Sequence, residues 1–127
     1  MNHRLPPIVA FLLSLVLWGC GNIANSILCH HSTQSEAVST GQHYIADVVL
    51  DDCGSTEHAT VVTIRRNGIV SYRTDLFTVE DTHRVKLSWI DEHTLIVHCE
   101  DCSSRDVQQT SRKWRDVTVQ YKLSKTN

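Results

Sequence analysis

The sequence predicts an all-β fold, in which a small antiparallel sheet of about six strands folds as a sandwich or an open barrel. After residue 41, apolar and polar side chains alternate in short stretches, which is the period of strands with one buried face. Turn-forming residues separate these stretches at intervals of about 8 to 15 residues, as in sandwiches and barrels. No segment shows a convincing helical period.

Three strands are predicted in the first half of this region. Residues 43–51 and 59–66 carry alternating apolar side chains. Asn67 and Gly68 follow, and because both tolerate positive φ angles, the pair is the strongest short-range hairpin signal. The sequence therefore predicts a tight turn at this pair and a return strand over residues 69–73.

Three further strands are predicted in the second half, at residues 85–89, 94–99 and 117–122. A turn over residues 91–93 joins the first two of them. The segments 74–84 and 103–116 are predicted as loops, the first with a short extended piece. Core or edge-covering positions are expected for the large aromatic residues Trp89, Trp114 and Tyr121.

The N-terminal segment has the organisation of a secretion signal. Arg4 precedes an apolar stretch over residues 8–18, which is shorter than the roughly 20 residues of a membrane-spanning helix. Leu17 and Gly19 before Cys20 resemble the lipobox of bacterial lipoproteins. Ordinary secretory cleavage instead requires small residues one and three positions before the cut, and Leu17 is not small. The sequence predicts cleavage before Cys20 and lipid on that cysteine; unlipidated secretion and an uncleaved anchor are the alternatives.

This signal sets the expected domain organisation and location. Residues 1–19 are a lipoprotein signal peptide, residues 20–40 are the lipidated Cys20 and a polar spacer, and residues 41–127 are a single β domain. Several acyl chains on one cysteine, palmitate among them, would hold the protein on a membrane permanently. By resemblance to Gram-negative lipoproteins, the absence of aspartate after Cys20 favours the outer membrane, with the domain facing the periplasm.

Charge and motifs exclude several classes of function. The chain has 12 basic and 14 acidic residues, and its one basic run is residues 112–115, so it lacks the dense basic surface of a nucleic-acid-binding protein. Ser55 lies in no Gly-x-Ser-x-Gly elbow. Asp51 and Asp52 are expected at a turn or a solvated edge. We therefore predict no catalytic residues, no cofactor and no nucleic-acid partner.

Four cysteines remain once Cys20 carries lipid. An exported small domain folds in an oxidising compartment, where cysteines usually pair. Three pairings are formally possible, and the short separation of the last two cysteines favours the disulfides Cys29–Cys53 and Cys99–Cys102.

A family resemblance covers residues 29–122. Residues 44–56, Tyr-Ile-Ala-Asp-Val-Val-Leu-Asp-Asp-Cys-Gly-Ser-Thr, are similar to a segment of small bacterial lipoproteins in which a "K-Y-x-A-V-V" strand leads into "D-C-G-A-T-T". Those proteins carry an earlier cysteine, here Cys29. Residues 87–97 and 114–121 resemble their closing strands, whereas Cys99 and Cys102 are additional. The family has no assigned activity, so the resemblance implies a fold and a location only.

The motif Cys99-Glu100-Asp101-Cys102 is the sharpest local pattern, and it has three interpretations. A disulfide across a tight turn fits the distance between the first and last residues of a β-turn. Redox catalysis is disfavoured, since the two intervening acidic residues oppose thiolate formation. A metal site is the minority hypothesis, with His98, Cys99 and Cys102 as ligands. For that site, one further ligand is expected from the histidines at positions 30, 31 and 43.

The sequence thus predicts a lipid-anchored protein of the bacterial cell envelope that acts as a binding or accessory module and not as an enzyme. Its expected partners are the membrane, through the lipid on Cys20, and an unidentified envelope protein. One alternative is a periplasmic metal-binding or redox-linked protein that uses His98, Cys99 and Cys102. The other is an inhibitor of an envelope enzyme, which fits the size and the disulfides.

Overall fold

A computed structural model describes residues 29–54, 58–68 and 72–124, and these residues form nine strands and no helix. The all-β prediction is confirmed. The predicted signal peptide, Cys20 and the first residues of the predicted spacer lie outside the described residues. The strands are β1 His30–Val38, β2 Tyr44–Asp52, β3 His58–Arg66, β4 Thr74–Glu80, β5 Val85–Asp91, β6 Thr94–Cys99, β7 Val107–Thr110, β8 Lys113–Trp114 and β9 Val117–Leu123.

The strands form two sheets that do not close into a barrel. The first sheet has the order β1-β2-β3-β4-β7, and every neighbouring pair in it is antiparallel. The second has the order β5-β6-β9-β8, and its central pair, β6 with β9, is parallel. This pair is the one exception to the predicted antiparallel pairing among the described strands, because the chain crosses to the first sheet as β7 and re-enters the second sheet as β8 and β9.

The core lies between the two sheets. In β6, Leu95, Val97 and Cys99 are fully buried, and they alternate with half-buried residues as the period of a strand requires. Side chains from both sheets complete one apolar cluster, against which the three predicted aromatic residues pack half-buried. Each fully buried large apolar side chain contributes about 1.5 to 3 kcal/mol to folding. The main contributors from the first sheet are Val62, Ile64, Leu76, Phe77 and Val79.

Tyr121 joins the sheets through its hydroxyl group. The oxygen lies 2.6 Å from the Ser111 carbonyl and 3.0 Å from the Leu76 carbonyl, and it accepts a hydrogen bond from the Ser111 N–H. Burial raises the pKa of Tyr121 to about 12, so the hydroxyl stays a donor at any physiological pH. This bond network fixes the C-terminal strand against β4.

Four strands occupy segments where the sequence predicts loop or spacer. β1 lies within the predicted spacer, so the folded domain begins earlier than residue 41; its first seven residues are all polar and show no alternation. β4 lies in the predicted loop 74–84, and a register shift against β3 buries both Leu76 and Phe77, which breaks the period of two. β7 and β8, in the predicted loop 103–116, are short and largely exposed.

The predicted tight hairpin at Asn67 and Gly68 is wrong. β3 ends at Arg66, its partner β4 begins at Thr74, and residues 69–71 of the predicted return strand lie outside the described residues. Asn67 instead donates from its side-chain amide to the Gln42 carbonyl at 2.8 Å. Asn67 therefore stabilises the turn between β1 and β2 and does not form a two-residue hairpin turn.

Candidate functional site

Both predicted cysteine pairs lie at one end of the sandwich, which we call the cysteine end. Cys29 precedes β1 and Cys53 follows β2, and the antiparallel register of these strands places His30 opposite Asp52 and so brings the two cysteines together. Their sulfur atoms lie at bonding distance. The pair ties the start of the edge strand β1 to its neighbour β2.

The second pair is at the end of β6. Cys99 is the last residue of the strand, Cys102 follows a two-residue turn, and both are fully buried. Their Cα atoms are 5.4 Å apart, within the range that a disulfide accepts, and their sulfur atoms lie at bonding distance. The structure thus brings together both pairs of cysteines that the sequence nominates.

His83 reaches this second pair from the segment between β4 and β5. Its backbone N–H donates to Thr60 Oγ1 at 2.9 Å, and the Thr60 hydroxyl in turn donates to the Asp81 carbonyl at 2.8 Å. Asp81 has a φ of 66°, a left-handed conformation that aspartate tolerates better than most residues. These contacts hold the His83 side chain in place, with 12% of its surface exposed.

His83, Cys99, Asp101 and Cys102 form a cluster in which one nitrogen, one oxygen and two sulfur atoms all lie within 4.8 Å of one another. His83 Nδ1 is 3.2 Å from Asp101 Oδ1, and Cys99 Sγ is 3.7 Å from the same oxygen. His83 Nδ1 is buried and makes no hydrogen bond, although Asp101 Oδ1 lies 3.2 Å from it. Imidazole, carboxylate and sulfur are the ligand types of zinc sites.

The histidines nominated from the sequence do not join this cluster. His98 lies between Lys86 and Lys122 across the sheet, and its Nε2 atom is 3.1 Å from Ser124 Oγ. The alternation of β6 turns it away from Cys99. His31 contacts Asp51 at 2.6 Å, on the first sheet, and His43 is at the opposite end of the sandwich. The metal hypothesis built on His98 is therefore corrected to one built on His83.

The register of the β5–β6 hairpin explains why His83 joins the cluster. β5 pairs with β6 so that Val85 lies opposite Cys99 and Lys86 opposite His98. Extending this antiparallel register by two residues places residue 83 opposite residue 101. The hairpin is predictable from its alternation and turn, but its register is not, so His83 and Asp101 were missed.

A shallow depression gives access to the cluster. It has a volume of about 420 Å³ and is lined by Thr82, His83, Arg84, Glu100 and Asp101. The hydrogen bond from Lys86 Nζ to Glu100 Oε1, at 2.8 Å, lowers the pKa of Glu100. Glu100 is thereby engaged outside the cluster, whereas Asp101 is directed into it.

The opposite end of the sandwich holds a second cluster, which we call the Glu92 latch: Glu92 with Ser39, Gly41 and His43. The Ser39 hydroxyl donates to Glu92 Oε1 at 2.9 Å, His43 Nδ1 lies 2.9 Å from the same oxygen, and the Gly41 N–H donates to Oε2. Partial burial raises the pKa of Glu92, but these hydrogen bonds together outweigh it and hold the pKa below its ordinary value. The latch joins the β1–β2 turn to the β5–β6 turn.

Among the described residues, no helix is long and apolar enough to cross a membrane. No family model matches this sequence, and no curated protein or solved structure matches it.

Proposed function

We propose that this protein is exported and lipid-anchored in the bacterial cell envelope, and that it acts there as a binding or accessory module without catalysis. The observation that carries the proposal is that two cysteine pairs lie at bonding distance within one small domain. Such density of paired cysteines is typical of oxidising compartments outside the cytoplasm. It agrees with the segment ending at Cys20, whose resemblance to a lipobox is an independent feature of the sequence.

The position of Cys29 sets how an anchored domain would stand on the membrane. Eight residues lie between Cys20 and Cys29, so the two cysteines can be at most about 30 Å apart when this segment is fully extended. Because Cys29 is tied to Cys53, lipid on Cys20 would keep the cysteine end close to the membrane. The end with the Glu92 latch would then face away from it.

The anchor is tested by metabolic labelling of the full chain with radioactive palmitate in a Gram-negative host, followed by membrane fractionation. We expect label on the wild type, and no label and release from the membrane for Cys20→Ser. Cys29→Ser is the matched control, since it removes a neighbouring cysteine and should leave the lipid in place. Equal labelling of the wild type and Cys20→Ser would contradict the proposal.

Two alternatives remain proposals. An inhibitor of an envelope enzyme fits the size and the paired cysteines, and a pull-down from envelope extract tests it by whether one hydrolytic enzyme is retained and loses activity. A metal-binding protein is favoured by a specific observation, the cluster around His83.

A further inference from the structure

We propose that the cysteine end is a redox-gated metal site, in which His83, Cys99, Asp101 and Cys102 bind one Zn²⁺ ion when the Cys99–Cys102 pair is reduced. The site goes beyond the proposed envelope function, which assigns no ion. The two are tested separately, because lipid on Cys20 and metal at His83 involve different residues.

The ligand set is the first argument. Two thiolates, one imidazole and one carboxylate give four ligands of the types that zinc takes in tetrahedral sites. All four ligand atoms already lie within 4.8 Å of one another. In a tetrahedral zinc site, with Zn–S near 2.3 Å and Zn–N near 2.0 Å, neighbouring ligand atoms are about 3.3 to 3.8 Å apart. Side-chain movements on the order of 1 Å therefore suffice to close the site.

The unpartnered nitrogen of His83 is the second argument. A buried polar atom without a hydrogen bond costs free energy, and native proteins leave few of them. His83 Nδ1 is such an atom: it lies 3.2 Å from Asp101 Oδ1 and makes no hydrogen bond, and a ring nitrogen of His83 lies within 4.8 Å of the two sulfur atoms. A metal ion in the cluster would satisfy it, since neutral imidazole binds metal through a nitrogen lone pair.

Access and support are the third argument. The depression is lined by two of the four proposed ligand residues, His83 and Asp101, so an ion can reach that side of the cluster from solvent. The backbone of His83 is held by Thr60, which positions the imidazole before any ion arrives.

The Cys99–Cys102 disulfide determines whether the metal can bind. Reduction by an external dithiol breaks the bond between Cys99 and Cys102 and forms two thiols, while the dithiol becomes a disulfide, so two electrons and two protons pass to the protein. Zn²⁺ then displaces one proton from each thiol as it binds. In the oxidised pair the sulfur atoms bond to each other and offer no thiolate to the metal. The proposal therefore expects binding in the reduced state alone.

The test uses the full chain in a Cys20→Ser background, purified in detergent and treated with a phosphine reductant or left oxidised. Zn²⁺ binding is measured by equilibrium dialysis, and Co²⁺ substitution reports thiolate ligation through its visible absorption. We expect one tight Zn²⁺ per reduced chain and none per oxidised chain. His83→Ala should weaken binding by at least about 100-fold, more than loss of an outer-shell partner does.

Matched variants separate this cluster from other binding. His98→Ala removes the histidine next to Cys99 in β6 and should bind Zn²⁺ as the wild type does. The double variant Cys29→Ser with Cys53→Ser should keep the site, whereas Cys99→Ser with Cys102→Ser should lose it. The His83 and His98 comparison retains all four cysteines, so it stands even where a cysteine variant fails to fold. Absence of binding by the reduced wild type, unchanged binding by His83→Ala, or equal binding by the oxidised chain would each overturn the proposal.

Discussion

Each end of the second sheet has a carboxylate near a histidine, but the two pairs differ in hydrogen bonding and in burial. At one end, Glu92 lies near the imidazole of His43 and is hydrogen bonded by Ser39, Gly41 and that histidine. At the other end, Asp101 lies near the imidazole of His83, and the imidazole nitrogen facing it makes no hydrogen bond. The His43 side chain is 74% exposed, whereas that of His83 is 12% exposed.

This comparison separates a structural cluster from a candidate binding site. The Glu92 latch closes a contact between two turns, and its donors and acceptors are used within the protein. The cluster at His83 keeps a buried nitrogen without a hydrogen bond, and such an unsatisfied polar atom lowers the stability of the oxidised fold. We infer a binding role from the unsatisfied group and a structural role from the satisfied one.

The largest change in the free energy of unfolding is expected from replacing the cysteine pairs. Replacing Cys29 and Cys53 by serine removes a link over 24 residues and should lower the free energy of unfolding by about 3 to 4 kcal/mol in the chain-entropy account. Replacing Cys99 and Cys102, which are 3 residues apart, should cost about 2 kcal/mol. Urea unfolding of both double variants measures the difference. A larger loss for the second pair would mean that it is a structural staple and would weaken the case for a gate.

A smaller, pH-dependent effect is expected at Glu92. The folded-state pKa of Glu92 is lowered from its ordinary value of 4.5, so its contribution to stability is present above pH 4.5 and is lost as the pH falls through the folded pKa. The stability of Glu92→Gln should therefore fall less steeply than that of the wild type as the pH is lowered. Ser39→Ala keeps the carboxyl group but removes one donor, and should begin to lose stability at a higher pH than the wild type. Urea midpoints across pH 3 to 7, a range set about the ordinary carboxyl pKa values, give the comparison; identical acid profiles for all three proteins would refute the assignment.

The smallest effect is expected at His83 in the oxidised protein. His83→Leu exchanges an unsatisfied buried polar group for an apolar one, and such exchanges are nearly neutral or stabilising, within about 1 kcal/mol. Thermal unfolding of the oxidised chain measures it. A loss of several kcal/mol would mean that His83 is already satisfied within the fold, and the contrast between the two ends would disappear.

The sequence predicts the strands whose one face is buried. β5, β6 and β9 show the alternation that their burial requires, so pattern alone finds them. β2 was also found, although its first six residues are buried on both faces of the sheet. β1 is an edge strand that pairs with β2 alone, and its polar side chains carry no period. β4 also lacks a period of two, because a register shift buries the adjacent apolar residues Leu76 and Phe77.

Two of the four residues of the candidate site, Cys99 and Cys102, could be predicted from the sequence. Spacing alone nominates Cys99 and Cys102 as neighbours, because the ends of a tight turn are close in any fold. His83 comes from a segment that enters the site across a hairpin whose register depends on a bulge near Trp89 and Asp91. A shift by one residue would have directed the imidazole to the other face of the sheet, and the sequence pattern does not specify the shift.

The parallel pairing of β6 with β9 has a consequence for the order in which an exported chain can fold. β1, β2, β3 and β4 join neighbours in sequence, so they can assemble as successive hairpins while the chain emerges amino end first. β6 can complete its pairing only when β9, the last strand of the described chain, is present. β9 also supplies the Tyr121 hydroxyl, which contacts the carbonyls of Leu76 and Ser111. Until then β6 has an unpaired edge, and Cys99 at its end lacks its last neighbour, Leu123. The part of the cysteine end that holds Cys99 and Cys102 is therefore completed last, whereas β1 and β2, which carry Cys29 and Cys53, can pair early.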